Sequence, residues 1–263
     1  MLHDPALGGT PDGGLLKLGS GTLTLSAINT YTGPTVVSNG TLLILATVAN
    51  ANSGPGAITV LAGAALGGNA GIGGPVTIND GAALSPSFGI GSLAINNNLT
   101  LNSSSLLNFT LGSTSTKVVV SGNLNLGGIL NVTNVSGFGA NTYTLFAYSG
   151  TLSGNLPSIG AFPADFVGTI STNTPGQVNL LVQLPSPPAF SNVSLSPNGS
   201  LVLNASGGTA DGSVYILTST NLGSPLAQWT CLATNQFDSF GQFSFTNTIN
   251  PNNSQAFYIL QLP

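Results

Sequence analysis

Short runs of β-type residues, separated by glycine, fill residues 13–45 of this chain of 263 residues. The runs are 22–25, 35–37 and 41–45, and the breaks between them contain glycine or Asn-Gly, which are typical of tight turns. A strand–turn unit of this size cannot bury its own apolar side, so it has to stack on similar units. This stretch therefore favours a fold made of stacked, repeated strands.

The stacked neighbours are present in the same chain. Segments 54–60 (GPGAITV) and 62–68 (AGAALGG) are followed 18 residues later by similar segments at 73–78 (GGPVTI) and 80–86 (DGAALSP). The repeat pairs the apolar residues Ile58 with Val76, Val60 with Ile78, and Leu66 with Leu84. A repeat of about this length is typical of one turn of a β-solenoid.

Further alternating runs follow, and helix signals are nearly absent. The segment NLNLGGILNV (123–132) is compatible with a hairpin around Gly127-Gly128 or with two successive solenoid strands. From residue 141 the sequence becomes more aromatic. We expect residues 141–182 to close the solenoid, because an exposed end with open strand edges invites pairing.

Three prolines between positions 185 and 188 mark a stiff connector. We therefore expect an all-β chain with a parallel β-helix or β-solenoid over residues 1–184 and a proline-rich linker over 185–189. A small immunoglobulin-like β-sandwich is expected over 190–263. Its single tryptophan, Trp229, is expected in the sandwich core, and the lone cysteine, Cys231, is expected to be a small buried residue.

The charge composition excludes several classes of partner. Only 3% of the residues are charged, and the cations are Lys17 and Lys117 alone. Nucleic-acid binding and attraction to anionic membranes both need many cations, so neither is expected. No apolar segment approaches the ~20 residues of a membrane span, so membrane insertion is not expected. Low charge also removes the repulsion between copies, which favours a homo-oligomer or polymer formed through strand edges or solenoid ends.

The chain has few residues that are suited to catalysis. Its six acidic residues are all aspartate, and four of them lie in turn-like contexts: Asp12, Asp80, Asp211 and Asp238. Aspartate in such a context usually bonds the local backbone. The only histidine, His3, lies near the chain terminus, where a rigid catalytic arrangement is not expected. We therefore predict a non-enzymatic protein with no catalytic, cofactor-binding or metal-binding residues and no cofactor.

Residues 13–45 resemble the passenger-associated, or autotransporter-associated, β-strand repeat. That repeat pairs a K-x-G-x-G-T-L-x-L run with N-T-Y-T-G and a second G-T-L-x-L run. The corresponding residues here are Lys17, Gly19, 21–25, 29–33 and 40–45. The resemblance implies a right-handed parallel β-helix passenger outside a bacterial cell, extracellular or on the cell surface. The repeat is a scaffold motif and implies no catalytic residues.

The chain termini carry their own expectations. The first residues, MLHDPALGG, lack the basic and apolar regions of a signal peptide, so we expect that a signal was removed or that the chain is part of a longer one. The C-terminal segment resembles the module that follows such repeats in some large bacterial surface proteins. Its shortness favours export by a route other than the autotransporter one.

Two functional hypotheses follow. The first is a structural protein, a self-associating subunit of a surface layer or fibre, whose association edge includes Leu15, Leu23 and Leu25. The second is an adhesin or carbohydrate-binding module. In that case a polysaccharide would stack on Trp229 and Tyr215 of the sandwich.

Overall fold

The computed structural model describes residues 13–29, 31–45, 54–86 and 92–263. The chain divides into two compact units, Met1–Leu184 and Pro185–Pro263. His3 and Asp12, for which the sequence predicts no catalytic role, lie outside the described residues. The domain boundaries drawn from the sequence, 1–184, 185–189 and 190–263, stay a prediction.

The first unit contains short strands, because glycine- and asparagine-rich corners interrupt the chain every few residues. Its strands in chain order are β1 (Leu15–Lys17), β2 (Thr22–Leu25), β3 (Thr35–Val37), β4 (Gly40–Ile44), β5 (Ile58–Val60), β6 (Ala64–Gly68), β7 (Gly71–Ile72), β8 (Val76–Ile78), β9 (Ala83–Ser85), β10 (Ser92–Ile95), β11 (Leu99–Leu101), β12 (Leu106–Leu111), β13 (Lys117–Val120), β14 (Leu124–Leu126), β15 (Ile129–Asn134), β16 (Asn141–Tyr148), β17 (Leu152–Gly154), β18 (Ser158–Ile159), β19 (Val167–Ser171) and β20 (Gln177–Gln183).

These strands form three sheets that run along the unit. Sheet 1 has the order β1-β3-β5-β8-β11-β14-β17, sheet 2 has β2-β4-β6-β9-β12-β15-β18, and sheet 3 has β7-β10-β13-β16-β20-β19. Within the described residues, four consecutive turns, beginning at β5, β8, β11 and β14, place one strand in each sheet. Successive turns pair in parallel, so the predicted β-solenoid is confirmed.

The 18-residue repeat predicts the strand register correctly. Ile58 pairs with Val76 and Val60 with Ile78 in sheet 1, and Leu66 pairs with Leu84 in sheet 2. All six side chains are buried. Equivalent residues lie side by side because each turn has to present the same apolar side chains to a continuous core. The hairpin alternative for 123–132 is wrong, since its two runs form β14 and β15 in different sheets.

Asparagine side chains reinforce the stacking on the outer surface of the sheets. Asn131 Nδ2 donates to Asn108 Oδ1 at 3.0 Å, and Asn131 Oδ1 accepts from the Ala161 amide at 2.9 Å. At a corner, Asn98 Oδ1 accepts from the Asn123 amide at 2.8 Å. Amide side chains stacked on adjacent turns can both donate and accept, so they bond from turn to turn without charge.

The solenoid strands end in the aromatic stretch that was expected to close them. Strand β16 still pairs in parallel with β13, but β20 and β19 follow it antiparallel. Phe138 stacks on Tyr143 with ring centroids 5.4 Å apart and meets Phe166 edge-on at 5.1 Å. This cluster packs against the end of the apolar core.

The second unit consists of two antiparallel sheets of three strands each. Its strands are β21 (Ala189–Leu195), β22 (Ser200–Ser206), β23 (Ser213–Ser219), β24 (Thr230–Gln236), β25 (Phe243–Thr248) and β26 (Phe257–Gln261). Sheet 4 has the order β21-β22-β25 and sheet 5 the order β24-β23-β26. A small core around Ala205, Val214 and Phe237 joins residues of both sheets.

Two expectations for the second unit are wrong. Trp229 is only half-buried and lies outside the core cluster, where Phe237 (2% exposed) is the buried aromatic residue. The indole N–H donates to the Ser224 carbonyl at 3.0 Å, which holds Trp229 beside a surface turn. Cys231 is exposed near the start of β24, away from that core.

Candidate binding surfaces

The first two described turns are joined by a buried lysine. Lys17 ends β1 and is only 7% exposed. Its ammonium group donates to the carbonyls of Leu18 at 2.9 Å and Gly19 at 2.7 Å, and to the Asn39 carbonyl of the next turn at 3.0 Å. The three donors of the ammonium therefore match three backbone acceptors, which makes the burial of this charge tolerable.

The glycines of the same motif make room for the lysine. Gly19 and Gly40 both have positive φ, 71° and 69°. A Cβ on Gly40 would lie 2.4 Å from the Gly21 carbonyl oxygen and 2.8 Å from Lys17 Nζ. Glycine is needed here for the backbone conformation and for the close approach of the corners. The lysine and glycines of the repeat thus hold one corner of the solenoid against the next.

The N-T-Y-T-G segment buries an aromatic anchor. Tyr31 is 0% exposed, and its hydroxyl lies 2.8 Å from Thr35 Oγ1. Burial raises the pKa of Tyr31 above its ordinary value, and the hydrogen bond to Thr35 offsets part of this effect. Asn29, also buried, donates from Nδ2 to the Ala27 carbonyl at 2.8 Å. These contacts give the repeat a structural role and leave no reactive group exposed among the atoms named.

The candidate association edge has its apolar side chains directed into the core. Leu15 and Leu23 pack against the solenoid core, and Leu25 is buried within it. Their strands are nonetheless edges: within the described residues, β1 pairs only with β3 and β2 only with β4. The exposed apolar side chains of this region are others and include Leu16 at 59% and Leu18 at 63%.

The described aspartates of the turn-like segments include two that cap backbone amides. Asp238 Oδ1 accepts from the amides of Phe240 at 2.8 Å and Gln242 at 2.9 Å. Asp80 Oδ1 accepts from the Ser104 amide of the adjacent turn at 2.7 Å. Among the residues that the structure describes, no group of three or more His, Cys, Asp or Glu is placed to hold a metal ion. The predicted absence of catalytic and metal sites stays a prediction.

A polar groove of about 470 Å³ crosses one corner of the solenoid. It runs over four consecutive turns, from Asp80 through Asn102 and Asn125 to Asn155. The connection Gly127-Gly128 between β14 and β15 lines the groove and is shorter than the equivalent connections of the adjacent turns. Its lining residues include no aromatic side chain.

The second unit has a cleft of about 460 Å³. Residues of both small sheets line it, together with the loop before β26. Its aromatic residue is Tyr258, which the sequence reasoning did not select. Neither of the predicted glycan-stacking residues lines this cleft: Tyr215 lies half-buried on β23 between the core residues Val214 and Ile216, and Trp229 precedes β24.

Comparisons with known proteins agree with the geometry of the first turns. Residues 15–44 match the family model of the passenger-associated-transport-repeat, which covers β1 to β4. The chain is also 39% identical over 115 residues to the adhesin BmaC autotransporter of Brucella suis biovar 1 (strain 1330). This match covers 40% of the chain and 3% of that relative, so the chain spans only a small part of the relative's length.

Within the described residues, no helix is long and apolar enough to cross a membrane. The buried Lys17, the paired glycines and Tyr31 are the structural content of the matched repeat. The chain therefore carries the passenger-associated transport repeat on a β-solenoid, and the two matches indicate an extracellular protein of the bacterial cell surface.

Proposed function

We propose that this chain is a non-enzymatic, adhesin-like passenger segment whose solenoid is a stiff scaffold and whose surface binds an external partner. The observations that carry the proposal are the passenger repeat in β1–β4 and the similarity of 115 residues of the chain to part of an autotransporter adhesin. A scaffold role also agrees with the chemistry of the repeat, in which Lys17 and Tyr31 are used for packing.

The distribution of ionisable groups supports the non-enzymatic part of the proposal. Asp80 and Asp238 accept hydrogen bonds from backbone amides, as turn residues do. Lys17 is surrounded by carbonyls. Acid–base catalysis needs titratable groups poised around a common site, and these three are engaged in holding corners and turns.

An adhesion assay with the whole chain tests the proposal. Beads coated with the chain should bind host-cell or matrix-coated surfaces more strongly than beads coated with a neutral β-rich protein of similar size. Binding should saturate and be competed by free chain. If coated and control beads adhere equally to every surface in the panel, the adhesin proposal is wrong.

Self-association is a second candidate, favoured by β1 and β2, which are edge strands within the described residues, and by the exposed Leu16 of β1. A second copy would add its strand to this edge through backbone hydrogen bonds. Analytical ultracentrifugation over a concentration series should then show oligomers that Leu16→Lys removes, while Leu222→Lys, at a leucine of similar exposure in the second unit, leaves them unchanged. A monomer at all concentrations would refute this candidate.

We also propose that sheets 4 and 5 form an immunoglobulin-like β-sandwich. The six antiparallel strands and the core shared by Ala205 and Val214 support it. A crystal structure of the chain would test the arrangement through the strand order of each sheet. A strand order or packing that differs from the immunoglobulin type would contradict it.

A further inference from the structure

The cleft of the second unit lies where the inner faces of its two sheets stop being apolar. In sheet 4, Ala205, Leu203 and Leu201 alternate along β22, opposite Phe243, Phe245 and Asn247 of β25. Ala205 and Leu203 are buried, and Phe243 packs against the core, whereas Leu201 and Asn247 line the cleft. The row of inner side chains thus changes from phenylalanine to asparagine at one end of the sheet.

Sheet 5 changes in the same direction. Val214 and Ile216 of β23 are fully buried, and Leu260 of β26 packs against the core. The next inner pair is Thr218 with Tyr258, which are directly paired across the two strands and both line the cleft. Polar side chains on the inner face of both sheets are unusual for a core, and they are typical of a binding site.

A hydrogen bond across the cleft fixes its two principal side chains. Asn247 Nδ2, from sheet 4, donates to the hydroxyl of Tyr258, from sheet 5, at 3.3 Å. The phenol then keeps its own O–H for donation, and the amide keeps an oxygen for acceptance. One apolar ring face and two uncharged hydrogen-bonding groups are therefore held in fixed positions.

The loop that closes the cleft is held by its own hydrogen bonds. The Asn252 amide donates to Asn250 Oδ1 at 3.0 Å, and Gln255 Nε2 donates to the Thr220 carbonyl at 2.9 Å. Ser254 and Asn253 of the same loop line the cleft. The wall is therefore preorganised and presents hydroxyl and amide groups, which reduces the entropy lost on binding.

The charge of the cleft selects the class of ligand. No Asp, Glu, Lys, Arg or His is among its lining residues, and both lysines of the chain belong to the other compact unit. An anionic or cationic ligand would have to leave water without an opposite charge to meet it. An uncharged, hydroxyl-rich ligand with apolar C–H faces fits an aromatic ring, amides and hydroxyls.

We propose that this cleft, with Tyr258 and Asn247 at its centre, binds uncharged oligosaccharides. The inference deepens the adhesin proposal and rests on it for its biological meaning. It also relocates the carbohydrate hypothesis from Trp229 and Tyr215 to residues that share one concave site. The solenoid groove is a weaker candidate for sugar, because it lacks an aromatic ring and contains the carboxylate of Asp80.

The test uses the whole chain and a panel of immobilised oligosaccharides, both neutral and sialylated or uronate-containing. We expect saturable binding to neutral members only. Tyr258→Ala and Asn247→Ala should each weaken it by about tenfold or more, and Tyr258→Phe by a few-fold. Ser254→Trp, a loop variant that fills the cleft without altering the inner faces, should abolish binding. Trp229→Ala and Tyr215→Ala are the matched controls and should bind like the unmodified chain.

Several results would overturn the inference. They are binding to no neutral oligosaccharide, equal binding to acidic ones, or loss of binding in the Trp229 and Tyr215 variants with the cleft variants unaffected. Circular dichroism of each variant excludes misfolding as the cause.

If beads adhere but the cleft variants and free oligosaccharide have no effect, the adhesin proposal survives and the cleft assignment fails. If cleft variants abolish adhesion but no glycan binds, the ligand belongs to another class, such as a peptide. If neutral oligosaccharide binds at the cleft but beads do not adhere, the adhesin proposal fails alone.

Discussion

Replacing Lys17 by methionine should open the first turns of the solenoid without unfolding the rest. Methionine keeps most of the apolar stem but leaves the carbonyls of Leu18, Gly19 and Asn39 without the ammonium that bonds them at 2.7–3.0 Å. These carbonyls lie at the corner between two turns. Their loss of a shared donor should therefore weaken the contact of β1 and β2 with β3 and β4.

The size of the effect follows from the number and type of bonds. A hydrogen bond to a charged group contributes about 1.5–3 kcal/mol. Burying the ammonium costs several kcal/mol in desolvation, which offsets much of the gain from three such bonds. Water can also reach part of the opened corner. We therefore expect a local loss of about 3 kcal/mol, equivalent to about a hundredfold in an opening equilibrium.

Amide hydrogen exchange measures this opening. The reporters are the amides of Ser38, which donates to the Lys17 carbonyl at 2.9 Å, and Thr41, which donates to Gly21 at 3.2 Å. Both should exchange about a hundredfold faster in Lys17→Met. The Ile129 amide, bonded to Ser105 at 2.8 Å several turns away, should change little because each turn contacts mainly its neighbours. Lys117→Met, at an exposed lysine, is the matched control. The reasoning is refuted if the two variants exchange alike at Ser38 and Thr41.

Three further predictions concern other parts of the solenoid. Burial raises the pKa of Tyr31 above 10.0, so the unfolded chain loses this proton at a lower pH than the folded chain does. The stability present below pH 10.0 should therefore fall as the pH rises above that value, and Tyr31→Phe should reduce the fall in denaturant titrations across the range. Gly40→Ala should destabilise the chain by about 3 kcal/mol. Gly63→Ala, at a glycine with a similar φ but open space around it, should cost about 1 kcal/mol, and equal melting temperatures of the two variants would contradict the steric argument. Asn131→Ala should cost about 1–2 kcal/mol and speed hydrogen exchange at Ala161, whereas unchanged exchange there would show that the asparagine ladder contributes nothing.

The solenoid could be predicted from the sequence because each of its strands repeats its neighbour. Ile58 and Val76 are equivalent in sequence and adjacent in space, so a local comparison revealed a long-range contact. The sequence pattern does not predict strand β1, since a run of three residues ending in lysine looks like a solvated segment. The signal that could have placed it is Lys17 followed by Gly19 and Gly21, an arrangement suited to a buried ammonium among close backbone atoms.

The cleft could not be predicted in the same way. It depends on the register of four strands that are distant in the chain, which places Asn247 opposite Leu201 and Tyr258 opposite Thr218. Composition made Trp229 the natural candidate for stacking, and nothing local distinguishes Tyr258 from the other tyrosines. The exposure of Cys231 is not predictable for a related reason, because the burial of a strand residue depends on which partner covers its face.

The parallel stacking of turns has a mechanical consequence. Hydrogen bonds between successive turns point along the solenoid axis, so a pulling force along that axis loads the turns in series, and the weakest junction yields first. Strand β7 contributes only two residues, Gly71 and Ile72, to its junction with β10, whereas β12 and β15 meet over six. A surface protein built in this way would lengthen under flow by releasing one turn at a time, and each release would limit the force that the longer junctions have to bear.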